Sequence, residues 1–139
     1  MLTKIIQSIS IKLNAVFGDT HKVHAESIEQ GLEAPCFFIL PMQLEQVHIL
    51  WNRYKRIQPF DIHYFPVTNT KTECYDMAEQ LVEALEEVQF DAGPIRGRRM
   101  KWEVIDGVLH FFVNFDFYAL KLIVPDLMGT VDITTDLKE

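Results

Sequence analysis

The chain has 139 residues, 48% hydrophobic and 24% charged, which suits one globular domain whose core needs no metal or disulfide staple. Its 20 acidic residues against 13 basic ones leave a formal net charge of -7, which disfavours general nucleic-acid binding because phosphate neutralisation needs a basic surface. No apolar run approaches the ~20 residues of a membrane span. Residues 1–17 are amphipathic with no small-residue cleavage site behind them, so no signal peptide is expected and the chain reads as one that folds in a cytoplasm.

Leu2, Ile5, Ile6, Ile9, Leu13, Val16 and Phe17 recur at offsets of three and four and predict an amphipathic helix ended by Gly18. Ile11 falls off this stripe. Residues 21–27 alternate weakly, as a short edge strand would. CFFILPMQL at 36–44 is a continuous apolar run containing Pro41, where a strand must lie at an edge, end or bend. Residues 51–66 read as two strand segments with Pro59 between them. Phe60, Ile62 and Tyr64 share one face, and Asp61, His63 and Phe65 the other.

TNTKTECYDMAEQLVEALEEVQF, residues 68–90, predicts a second helix. Thr70 and Glu73 have capping-box spacing; the apolar stripe runs through Met77 or Ala78, Leu81, Val82, Leu85 and Val88. Glu79, Glu83, Glu86 and Glu87 form its solvated face, and Ala92, Gly93 and Pro94 end it. Asp106-Gly107 between apolar runs is a type I′ hairpin signal, because that turn needs φ > 0 at both positions. A two-residue turn sets Ile105 against Val108, Val104 against Leu109 and Trp102 against Phe111. Trp102, Val104, Leu109, Phe111, Val113, Phe115 and Phe117 then share a core face, each contributing about 1.5–3 kcal/mol on full burial.

Residues 121–139 lose this apolar density, and Pro125, Gly129 and the polar ending suggest a loose or partner-bound arm. Val131 and Ile133 alternate as a segment would if it added to another sheet. The expected fold is α+β: a single mostly antiparallel sheet flanked by two main helices, with a C-terminal hairpin and an extended C-terminal arm. The folded domain spans 1–120 and the arm 121–139.

Motifs for chemistry are sparse. Cys36 and Cys74 lie far apart and read as reduced, packed thiols. His21 and His24 fall on opposite faces of a strand, and His48, His63 and His110 have no partnered spacing, so no metal site is expected. No nucleophile elbow or phosphate-cradling glycine loop occurs, and GPIRGRR precedes a strand rather than opening a helix. No cofactor and no catalytic residue are assigned. Arg96, Arg98, Arg99 and Lys101 cluster, with Arg53, Lys55 and Arg56 as a second basic run. Such a cluster reads as a solvated loop and strand edge, or as a contact loop whose guanidinium forks meet carboxylates of a neighbouring subunit. Phe112 and Tyr118 stand on the face opposite the core, among His110, Asn114 and Asp116. Apolar groups there want a second layer, either a helix of the same chain or a neighbour.

EAPCFFIL followed by Pro41, the NRY…PFDIHYFP block at 52–66, DMAEQLVEALE, and PIRGRRM…VIDGVLHFFVNFDF together resemble tail terminator proteins of phages, prophages and phage-tail-like particles of Gram-positive bacteria. The resemblance covers residues 1 to about 120 and leaves the arm outside. It implies a small α+β protein, not an enzyme, in a homo-oligomeric ring, usually a hexamer, at the head-proximal end of the virion tail, assembled in the bacterial host cytoplasm. The implied partners are the tail tube protein, the head connector or collar, and sheath proteins. DNA would only pass through the lumen, and no membrane is involved. Two other readings stand beside it: a head–tail joining or tail completion protein, and a small enzyme or regulator of the same mobile element.

Overall fold

The computed structural model describes residues 2–18, 20–25, 33–90 and 93–120, and the backbone of 121–123 and 131–134. Among these residues two helices, α1 (Leu2–Phe17) and α2 (Lys71–Ala84), accompany eight strands: β1 (Lys22–His24), β2 (Cys36–Pro41), β3 (Glu45–Leu50), β4 (Arg53–Phe65), β5 (Glu87–Phe90), β6 (Gly93–Ile105), β7 (Val108–Ile123) and β8 (Val131–Thr134). The sheet runs β1-β2-β4-β7-β6-β5, with β3 beside β4 and β8 beside β7. Among the described residues only β1–β2 pairs in parallel, and the fold is α+β with a mostly antiparallel sheet.

The hairpin forms as the turn chemistry requires. Asp106 (φ 50°) and Gly107 (φ 77°) take the two left-handed positions, and Ile105, Val104 and Trp102 face Val108, Leu109 and Phe111. Leu109, Phe111, Val113, Phe115 and Phe117 are buried. With Phe37, Ile39, Phe60, Ile62 and Tyr64 they form one core face, closed by Ile5, Ile9 and Leu13 of α1 and Cys74, Met77, Ala78, Leu81 and Leu85 around α2. Trp102 has the predicted register but stays 39% exposed at the sheet margin, where the ring of Tyr75 gives partial cover. Both cysteines are free and buried, as expected, and burial raises both thiol pKa values.

Three expectations are corrected. Residues 53–65 form one continuous strand, not two. Proline is tolerated at 59 because the flanking partner changes there, from β2 (last pair Pro41–Phe60) to β3 (first pair Glu45–Ile57). The Pro59 carbonyl accepts from Met42 N at 2.9 Å, and the buried Gln58 amide donates to the Met42 and Pro59 carbonyls at 2.9 Å each, stitching the junction. The second helix ends at Ala84, and residues 87–90 form β5 against β6. Val88 continues the helical spacing, but alternation with Phe90 also suits a strand, and the β6 edge captures it. Gly93 and Pro94 accordingly open β6 instead of ending a helix.

The capping box is half formed. Thr70 Oγ1 accepts from Glu73 N at 3.3 Å, while the Glu73 carboxylate turns to the preceding loop. It accepts from Tyr64 Oη (2.6 Å), Val67 N (2.8 Å), Thr68 N (2.9 Å) and Thr68 Oγ1 (2.7 Å). Burial alone would raise the Glu73 pKa, but the bonds from Thr68, Tyr64 and Val67 bring it down to about 2.

Candidate assembly surface

Both helices pack on the core face, and among the described residues none lies over the opposite face. Two cross-strand rows run over that open face: Leu40, Asp61, Phe112 and Lys101, and beside it Phe38, His63, His110 and Glu103. Phe112 is half-buried under the ammonium of Lys101, 5.7 Å from its ring centre, a contact worth about 0.5–1 kcal/mol at an exposed site. An open groove beside it is lined by Met42, Pro59, Lys101 and Asn114. Further along, Lys55 pairs with Asp116 at 3.8 Å, and Tyr118, opposite Lys55, is 40% exposed.

The basic cluster lies on a strand, not a loop. Gly97 and Arg98 pair with Phe115 and Asn114, and pairing resumes at Lys101–Phe112, so Arg99 and Met100 together oppose Val113 in a bulge. Arg99 takes the left-handed region at φ 53°. A side chain at Gly97 would press on the Leu85 carbonyl oxygen and on Met100 and Val113, so this crossing of β6 between its two partner strands needs glycine. Arg96, Arg98 and Arg99 are exposed and make no ion pair among the described residues. In the second run, Arg56 Nε donates to Gln46 Oε1 at 2.8 Å. Val131 and Ile133 lie on β8, opposite Ile123 and Lys121 of the chain's own β7.

Sequence periodicity passed over the β3–β4 hairpin. Every residue of β3 is exposed, and its apolar members gather toward the turn: Val47 (41%), Ile49 (49%), Leu50 (62%) and, at the tip in a left-handed conformation (φ 52°), Trp51 (86%). Single exposed apolar residues are ordinary, but a run of them on an edge strand has the character of an interface. EQVHIL alternates only partly, and its one visible signal was the apolar pair Leu50-Trp51 before a basic run.

His63 and His110 face each other across β4 and β7, with ring centres 4.1 Å apart. His63 Nε2 lies 2.9 Å and His110 Nδ1 3.3 Å from Asp61 Oδ2. Chain spacing did not reveal this group, because it depends on the β4–β7 register.

Among the described residues, this α+β sheet has one face closed by helices and the other without one, with exposed arginines on β6 and an apolar β3–β4 hairpin, surfaces suited to contacts with other subunits. Comparison with protein families matches residues 4–125 to the phage tail terminator proteins, and the chain belongs to that family. No curated protein matches the chain. The family is one of structural phage tail proteins and not of enzymes, which supports a place in the virion tail and contacts with other tail and head proteins.

Proposed function

We propose that copies of this chain close into a ring, most simply a hexamer, on the head-proximal end of the tail tube. The ring ends addition of tube subunits and offers the docking face for the head connector. In a headless, tail-like particle it would simply close the tube. The observation that carries this reading is the exposed apolar hairpin around Leu50 and Trp51, which a neighbouring copy would cover. A closed ring needs head-to-tail contacts between two different patches. The hairpin supplies one; the open sheet face with Phe112 and Tyr118, and the arginines of β6, supply the other.

Scale is compatible with the role. A 139-residue domain has a radius of gyration of roughly 14 Å, or about 37 Å across as a uniform sphere. Six such spheres in contact leave a hole about one sphere wide, ample for duplex DNA. An acidic subunit lets DNA slide, because like charge in the lumen does not grip it.

The test is electron microscopy of tails from particles lacking this gene. Tubes of uncontrolled length are the expected result. Tubes of normal length that lack heads would assign the protein to the head–tail joint instead.

A further inference from the structure

We propose that Asp61, His63 and His110 form a binding site for a borderline divalent cation of the zinc type, on the open face of the sheet. The three residues offer one ligand atom each, all within 4.8 Å of one another. A tetrahedral ion with bonds of about 2.0–2.1 Å spaces its ligands at roughly 3.3 Å. The separations of His63 Nε2 and His110 Nδ1 from Asp61 Oδ2, 2.9 and 3.3 Å, already lie near that edge length. The ligands stand on a rigid frame, two from β4 and one from β7, with His63 and His110 a direct cross-strand pair.

The donor set chooses the ion. Two imidazoles and one carboxylate suit zinc, cobalt or nickel, whereas magnesium and calcium seek oxygen. Asp61 Oδ1 points to the same conclusion. It is buried and has no hydrogen-bond partner among the described residues, so an imidazole–carboxylate cluster alone leaves its desolvation uncompensated. A cation shared with that carboxylate repays it. Phe38 and Phe112 flank the ligands within their own cross-strand rows and Phe65 follows on β4, lowering the local dielectric, while Glu103, opposite His110, adds negative potential. The ligand side chains retain 17–20% exposure, so an ion can enter from the open face and keep water in its remaining position. Each ring binds through the nitrogen that now faces Asp61, its proton moving to the other nitrogen through solvent.

The experiment titrates Zn2+ and Co2+ into the full chain without an affinity tag, read by calorimetry and by the visible absorption of Co2+. Binding of one ion per chain is expected, with the intense bands of tetrahedral Co2+ and perturbation of the His63 and His110 imidazole resonances but not that of the exposed His48. His63→Ala and His110→Ala, checked for folding by circular dichroism, should each weaken binding at least about tenfold. Asp61→Asn keeps the shape of the side chain and should weaken it likewise. Absence of one-to-one binding, binding undiminished in the three variants, or a thiolate charge-transfer band from Cys36 or Cys74 would overturn the site.

Discussion

Tyr64 Oη donates to the Glu73 carboxylate at 2.6 Å, joining the end of β4 to the first turn of α2. Burial pushes the Tyr64 phenol up, and its bond to Glu73 pushes it further, so it stays a donor at any working pH. Glu73 shifts the other way, from 4.5 to about 2. A carboxyl whose folded pKa is depressed contributes stability that is present above its unfolded value and lost as pH falls through the folded one. Urea denaturation should therefore show stability declining from about pH 5 toward pH 2, with a flatter decline in Glu73→Gln. At neutral pH that variant should lose about 1.5–3 kcal/mol, since it forfeits hydrogen bonds to a charged acceptor. An unchanged pH slope would contradict the assignment.

Gly97 has a regular φ; its constraint is space, because a Cβ there meets the Leu85 carbonyl, Met100 and Val113. Backbone cannot yield as a flexible side chain does, so Gly97→Ala should destabilise by about 1–3 kcal/mol. Thermal unfolding would read this as a lower midpoint, whereas Gly18→Ala meets no atom within 4 Å and carries only the strain of its φ of 79°.

Trp51 is 86% exposed, so Trp51→Ser should leave monomer stability within about 0.5 kcal/mol. The same change, paired with Leu50→Asp, should abolish assembly on tube ends. Light scattering and electron microscopy of the variant with purified tubes give the readout, and normal caps would remove the hairpin from the interface.

Arg98 and Arg99 are exposed without an ion pair among the described residues. Reversing both to Glu should weaken subunit association at moderate salt, most strongly at low ionic strength, where unscreened charges interact furthest. Association of the variant that matches the parent chain at every salt concentration would make these arginines a solvated edge.

What the sequence determined by itself is what neighbours along the chain decide. The α1 core positions Ile5, Ile9 and Leu13 (though not Leu2 and Val16 of the same stripe, which stay exposed), the Gly18 stop, the type I′ turn at Asp106-Gly107 with its register, and the core face from Leu109 to Phe117 each follow from interactions spanning a few residues. Proline at 59 misled for the same reason: its cost depends on which strand lies beside it, and only the exchange of β2 for β3 makes it harmless. The tertiary structure alone decided that residues 87–90 leave the helix for the edge of β6, and that the β3–β4 hairpin stands out with Trp51 at its tip. It also decided that His110 meets Asp61 across 49 residues of chain. Pairing between distant strands is set by the packing of whole faces, and no local spacing encodes it.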